Sequence, residues 1–162
     1  MNRKSKIKVS FYNVIKTIAD SIDLMSNEIS GHHKLVAYIA LRIGLELKLS
    51  ERQLRKLVLS SLIHDIGILY FDKNIDYLVR DRKNKEHAYV GYVLLKDYFP
   101  FDGYAEVLKN HHEDWQDLDH TENNYLSNII NLSDIIAYFI DKDKITNILQ
   151  SGFVSKKIYK YC

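Results

Sequence analysis

The stretch SSLIHDIGI, residues 60–68, sets a histidine beside an aspartate within an otherwise apolar run. Val58 and Leu62 lead into it at helical spacing, which predicts a helix whose end enters the protein core. Burying an imidazole and a carboxylate is unfavourable by several kcal/mol unless something pairs with them. His64 and Asp65 therefore need partners, which the rest of the chain has to supply.

Length and composition indicate a globular domain. The chain has 162 residues, of which 46% are hydrophobic and 27% charged, and this predicts a single domain over residues 1–162. With 23 basic against 21 acidic residues, the formal charge of +2 is too balanced to indicate a nucleic-acid polymer as partner. No apolar run is long enough for a membrane span or forms a signal peptide, and the single Cys162 excludes an intrachain disulfide. We expect a cytoplasmic protein.

Apolar residues recur at helical spacing along almost the whole chain, which contains one proline and six glycines. We therefore predict an all-α fold, a single-domain helical bundle. Ser50 and Gln53 have the spacing of a capping box at the start of the third helix. The predicted helices cover about residues 9–29, 35–47, 51–62, 86–98, 103–112 and 125–140, with short helices within 73–82 and after 144.

Two further polar residues interrupt apolar helices. Asp134 lies within INLSDIIAYFI, residues 130–140, and buried carboxylates are rare unless they are paired or bind a metal. His87 begins HAYVGYVLL, residues 87–95, at the edge of an apolar face. His87 could equally be a surface histidine at the start of its helix.

Histidines also end one helix and begin another. Because neighbours on a helix point about 100° apart, His111 and His112 reach one metal cluster only if it lies near the helix end. Glu28 and His32 are four residues apart, so they share a face if the helix persists across Gly31.

Each of these residues has a structural alternative. His64, for example, could bond a backbone carbonyl while Asp65 caps the next segment. Imidazoles and carboxylates without thiolates nevertheless form a ligand set for iron, manganese or zinc, and the set is large enough for more than one ion. Two ions bridged by a carboxylate can activate a water and stabilise the leaving oxygen of a phosphoester. Asp65 is the predicted bridge.

Four segments together resemble the HD superfamily of metal-dependent phosphohydrolases, and more narrowly the HD-GYP phosphodiesterases that hydrolyse cyclic di-GMP. They are HHKLVAYIALRIGLELKLSERQLRKLVLSSLIHDIG (32–67), HAYVGYVLL (87–95), HHEDW (111–115) and IINLSDIIAYFID (129–141). The resemblance covers about residues 26–141, and the combination is specific although each motif alone is weak.

The resemblance implies an HD-type helical fold with two or three divalent ions, iron or manganese first and zinc as an alternative. It implies catalytic roles for Asp65 and His64. The choice between His32 and His33 stays open, with His32 favoured by its distance from Val36-Ala37. The implied metal ligands are His32, His64, Asp65, His87, His111, His112, Asp134 and Glu28.

The substrate-binding part departs from the family. His-Asp-Ile-Gly is normally followed by a lysine that could meet substrate phosphate, and Ile68 stands there. The Gly-Tyr-Pro signature should fall at residues 119–121, which read Asp-His-Thr. Acidic residues within 113–122 would also repel a dianionic dinucleotide unless that loop folds away.

These observations predict a metal-dependent phosphodiesterase of HD-GYP type that hydrolyses cyclic di-GMP or a related cyclic dinucleotide with a metal-bridging water. One alternative is an HD hydrolase for another nucleotide, such as a dinucleoside polyphosphate. Another is a catalytically weak signalling module that binds metal or nucleotide. The expected partner is a small-molecule nucleotide, with a homodimer or a signalling protein as further candidates and no membrane.

Overall fold

The computed structural model describes residues 9–25, 30–71 and 85–142. These residues form helices and turns without a strand, which confirms the predicted all-α fold. The short helices predicted within residues 73–82 and after residue 144 lie outside the described residues. The α-helices are α1 (Phe11–Asp23), α2 (His32–Glu46), α3 (Glu51–Leu62), α4 (Glu86–Leu95), α5 (Asp102–Lys109) and α6 (Glu122–Lys142).

Two short 3₁₀ helices complete the described structure. One, Ile66–Tyr70, follows α3 and packs against α4, and the other, Trp115–Asp117, lies between α5 and α6. α2 packs mainly against α3 and α6, whereas α4 packs to a similar extent against α5 and against the 3₁₀ helix Ile66–Tyr70. The second helix and the last one therefore enclose one part of the core, and α4 and α5 enclose another.

The predicted capping box starts α3. The Ser50 hydroxyl accepts a hydrogen bond from the backbone N–H of Gln53, and the Gln53 side chain accepts one from the backbone N–H of Ser50. Two of the unpaired N–H groups at this helix end are thereby satisfied. The capping box thus stabilises the start of α3, whose other end leads to residues 63–65 in the core.

Apolar side chains from different helices form two buried clusters. Ile15 and Ile22 of α1 belong to the first cluster, with Leu62 and Leu108. The second joins α2 to α5 and α6. Many buried carboxylates and imidazoles are unusual in a domain of this size; among the described residues they belong to Asp23, His32, His33, His64, Asp65, His87, His111 and Asp134.

α1 is shorter than predicted. It ends at Asp23 rather than near residue 29, and the apolar stripe expected to continue to Met25 does not. Leu24 is 86% exposed and Met25 is 50% exposed, so a longer helix would gain no burial from either side chain. The buried face of α1 ends instead on the carboxylate of Asp23.

A left-handed residue separates α2 from the segment before it. Gly31 has φ +80°, a conformation that side chains other than glycine rarely adopt. α2 therefore begins at His32, and the helical continuity on which a shared face of Glu28 and His32 depended is not present. Glu28 itself lies outside the described residues.

Gly67 allows the 3₁₀ helix after α3 to touch the backbone of α4. A Cβ at this position would lie 1.9 Å from the backbone oxygen of His87 and 2.6 Å from the backbone nitrogen of Gly91. Since no real Cβ contact is that short, glycine is required here for steric reasons. The glycine of the His-Asp-Ile-Gly sequence thus brings α4 close to Asp65.

We expect Gly67→Ala to lower the free energy of unfolding by about 3 kcal/mol, the upper end of overpacking effects, because backbone atoms have to move. Gly103→Ala on α5 is the matched control, since a methyl group added there would meet nothing within 4 Å. The control should be neutral or stabilising by up to about 1 kcal/mol. Urea unfolding of both variants measures the difference, and equal effects would contradict the close approach.

Candidate metal centre

Histidines and aspartates from five helices or their ends lie close together in the core. Their ligand atoms form three overlapping sets, in each of which all atoms lie within 4.8 Å of one another. The structure thereby brings together every predicted site residue that it describes, and it adds His33. The sets are Asp65, His87, His111 and His112; His32, His64 and Asp134; and His33, His64 and Asp65.

The end of α3 fixes the orientation of His64. Its Nδ1 donates to the backbone carbonyl of Ser61 at 2.9 Å, so the other ring nitrogen, Nε2, faces the centre, where it can hold a proton or bind a cation. The hydrogen bond from His64 to a backbone carbonyl, the structural alternative to metal binding, is therefore present. It uses only Nδ1, so Nε2 remains available to a cation. Asp65 makes no side-chain cap for the following 3₁₀ helix, so the capping role is wrong.

His111 is oriented by the same device at the end of α5. Its Nδ1 donates to the carbonyl of Leu108 at 2.7 Å, and its Nε2 faces Asp65. α5 ends at Lys109, so His111 and His112 lie in a turn instead of the last helical turn that was predicted. In this turn both rings reach the same group, and His112 Nε2 lies 2.9 Å from His87 Nε2.

Asp65 presents its two carboxylate oxygens to different histidines. Oδ1 lies 3.1 Å from His87 Nε2 and 3.5 Å from His111 Nε2. Oδ2 lies 3.1 Å from His64 Nε2. A carboxylate with separate ligand groups on each oxygen has the arrangement that a bridge between two cations requires.

His87 is not a surface residue. It is the second residue of α4, and only 2% of it is exposed. Its burial follows from the close contact between Gly67 and the α4 backbone. The alternative of an exposed histidine at a helix start is therefore wrong.

His32 and His33 both enter the group from the first turn of α2. His32 Nε2 lies 3.2 Å from Oδ1 of Asp134 on α6, and the His33 ring lies 5.2 Å from the His64 ring. The sequence posed these two as alternatives, whereas in the structure both are buried beside His64.

Sequence reasoning missed Asp23. Its carboxylate Oδ1 lies 2.5 Å from His33 Nδ1, and 5% of the residue is exposed. Its position on α1 could have indicated that it is buried. Asp23 comes four residues after Ala19 and directly after Ile22, and both of these residues are fully buried. A carboxylate on that buried face needs a partner, as the carboxylates of Asp65 and Asp134 do.

The geometry of the centre calls for a positive charge. The Nε2 atoms of His32, His33, His64 and His111 are buried without a hydrogen-bond partner. Several of them nevertheless lie close to carboxylate oxygens. Lone pairs of nitrogen and oxygen repel each other at such distances unless a proton or a metal ion lies between them. The residues present therefore fit a bound cation.

The protonation states also favour a cation. Burial lowers the pKa of His64, but the charges of Asp65 and Asp134 outweigh it and raise that pKa to about 9. Burial opposes ionisation of Asp65 as well, yet the neighbouring histidines hold its pKa well below the usual range. His33 and His111 have lowered pKa values, chiefly through burial. The ionised carboxylates and the neutral imidazoles are already in the forms that bind metals, whereas His64 holds a proton that a metal ion would have to replace.

The acidic loop after the double histidine is partly neutralised. Glu113 pairs with Lys85 at 2.7 Å, and Glu122 pairs with Arg52 at 2.7 Å. Trp115 stacks on His120 with ring centroids 4.5 Å apart, which packs the loop against itself. The remaining acidic side chains are exposed and belong to Asp114, Asp117 and Asp119.

Ile68 stands where the family normally has a lysine, and it cannot make the contact with phosphate that a lysine could make. It lies in the 3₁₀ helix after Asp65, and only 1% of it is exposed. Its side chain is therefore part of the apolar core, with no charge to offer to a substrate.

Comparisons with known proteins agree with the geometry. The family model described as HD domain matches residues 29–143, which is more than half of the chain. No significant match was found among curated proteins or among solved structures. Within the described residues, no helix combines the length and apolar character needed to cross a bilayer. Since HD domains bind divalent metals and the histidine–aspartate cluster could hold them, sequence match and geometry agree, and the chain belongs to the HD domain family.

Proposed function

We propose that the protein is a metal-dependent phosphodiesterase of HD-GYP type that acts on cyclic di-GMP or a related cyclic dinucleotide. The observation that carries this proposal is the carboxylate of Asp65, which faces His64 with one oxygen and His87 and His111 with the other. Such an arrangement supports two ions rather than one. Membership of a family of metal-dependent hydrolases supports the same chemistry.

Two divalent ions bound here would supply a water of lowered pKa and positive charge for the oxygens of a phosphodiester. The chain's own residues prepare that site. The backbone carbonyls of Ser61 and Leu108 hold His64 and His111 with Nε2 turned inward. Asp65 stays ionised, and burial keeps bulk water away from both sides of it. The charges therefore act in a medium of low dielectric, where they are stronger than in water.

The candidate ligands form two groups, one beside each carboxylate oxygen of Asp65. His87, His111 and His112 form one set with it, and His64 belongs to the other side. Asp134 extends that second side, because it forms a set with His64 and His32. In this proposal Asp65 and His64 would help to hold the ions, and the ionised carboxylate of Asp65 would also accept a hydrogen bond from the reacting water.

A different nucleotide substrate is the second candidate. The position where the family has a phosphate-contacting lysine is the buried Ile68, and Lys85 is engaged by Glu113. Exposed carboxylates remain at Asp114, Asp117 and Asp119. These features weaken the attraction for a cyclic dinucleotide and favour a substrate that depends mainly on the metals, such as a dinucleoside polyphosphate.

We expect protein purified anaerobically to retain two or more equivalents of iron or manganese and to hydrolyse a generic aryl phosphodiester. Asp65→Ala should abolish metal retention and lower activity by more than about 100-fold, since even outer contacts of metal ligands are worth 10- to 100-fold. Asp117→Ala is the control, because this carboxylate is exposed in the outer loop. Elemental analysis and a turnover assay provide the measurements.

Two results would contradict this expectation in different ways. Metal retention without turnover of any phosphodiester would contradict the proposed enzymatic activity and favour a metal-binding signalling module. An absence of metal in anaerobically purified wild-type protein would remove both metal-dependent proposals.

The substrate is tested with a nucleotide panel. We expect hydrolysis of cyclic di-GMP, followed by chromatography of the products, to exceed that of linear dinucleotides and dinucleoside polyphosphates. Cleavage of the polyphosphates with no cleavage of cyclic di-GMP would show that the proposed substrate is wrong. The proposed metal-dependent hydrolysis would still stand.

Proton competition predicts a pH dependence of metal affinity. Because the metal-free protein has a His64 pKa of about 9 against an ordinary 6.5, affinity should increase as pH rises between these values. The stability of metal-free protein should change in the opposite direction. A raised folded-state pKa contributes fully below about 6.5, and this contribution is lost as pH rises through about 9. Manganese titration and urea unfolding across this range measure both trends, and flat profiles would contradict them.

A further inference from the structure

A second carboxylate–histidine pair lies at the edge of the centre. Asp23 is the last residue of α1 and His33 is the second residue of α2, and both are buried. The Oδ1 of Asp23 lies 2.5 Å from His33 Nδ1, and it also accepts from the backbone N–H of His33 at 3.5 Å. Neither residue has a role in the function proposed above.

The pair fixes which nitrogen of His33 faces the centre. An ionised carboxylate can only accept, so His33 Nδ1 carries the proton and Nε2 carries the lone pair. That Nε2 is buried and has no hydrogen-bond partner. A ring nitrogen of His33 lies within 4.8 Å of ligand atoms of His64 and Asp65, and Nδ1 already faces Asp23. The unpaired atom therefore points at two residues of the metal cluster.

A purely structural role explains only half of this arrangement. The hydrogen bond to Asp23 would join α1 to α2 through Nδ1 alone, and any side chain with one donor could make it. It leaves unexplained the buried Nε2 and the second carboxylate oxygen of Asp23, which also has no hydrogen-bond partner. A cation beside His33 stabilises both, since it accepts the nitrogen lone pair and offsets a third buried carboxylate.

We propose that His33 is an additional metal ligand through Nε2, on the side of the centre formed by His64 and Asp65, with Asp23 as its positioning residue. Carboxylates commonly hold metal-bound histidines in this way and fix the ring and tautomer. The inference rests on the metal centre of the proposed function and extends it to α1. Metal binding should therefore stabilise the docking of α1 on α2.

The chain offers matched controls for both residues. His33→Gln removes the imidazole, and His120→Gln removes a histidine that stacks on Trp115 in the outer loop. Asp23→Asn keeps the shape and removes the charge. Asp20→Asn does the same three residues earlier on α1, where the carboxylate pairs with Lys16 and Lys34.

Cobalt(II) titration of the full chain gives readouts that a structural role would not move. The stoichiometry, the affinity and the visible absorption of the bound cobalt depend on its ligands. We expect His33→Gln to lose one equivalent or to weaken one site by more than about 10-fold, with an altered spectrum. Asp23→Asn should weaken the same site by about 10-fold, within the range for such positioning contacts. Both controls should match wild type.

Thermal unfolding with and without cobalt separates ligation from folding. Wild-type protein should gain more stability from cobalt than His33→Gln does, because the variant has one ligand fewer. A folded His33→Gln with unchanged affinity, stoichiometry and spectrum would overturn the assignment of His33. If that variant does not fold, an unchanged spectrum and affinity in Asp23→Asn overturn it instead. Failure of wild type to bind cobalt would overturn the proposed function as well.

Discussion

The buried carboxylate of Asp65 lies at the middle of the centre and determines its electrostatics. A buried carboxylate needs positive charge or several donors nearby, and its oxygens face the Nε2 atoms of His64, His87 and His111. A proton or a metal ion between these groups is attracted by the carboxylate. Burial strengthens that attraction because the local dielectric constant is low. Asp134 adds to the same demand from α6.

Helix ends deliver the ligands to this carboxylate. His64 and His111 each follow a helix by two residues, and each donates Nδ1 to a carbonyl three residues earlier. In both cases a backbone carbonyl in the last turn of the helix fixes the orientation of the imidazole ring. His87 comes from a different element and depends on backbone contact at Gly67. Local hydrogen bonds and one close approach therefore act together to build a single site.

Charge is distributed differently in the centre and in the loop beside it. The centre combines buried imidazoles with ionised carboxylates, whereas the loop combines ion pairs with exposed acidic side chains. Exposed ion pairs contribute little to stability, but they reduce the repulsion that the loop would exert on an anionic ligand. The buried, apolar Ile68 adds no charge to this region.

Local periodicity and the spacing of Ser50 and Gln53 predict the all-α fold and the capping box, because both signals act over a few residues. The grouping of histidines and aspartates around His64 and Asp65 comes from the resemblance to the HD family, together with the cost of burying charged groups. Tertiary packing determines where α1 ends, which side chain Asp23 contacts, and that His32 and His33 both face the centre. The physical reason is that these contacts depend on how the chain turns at Gly31 and how α1 docks against α2. Neither is encoded in the spacing of residues along one helix.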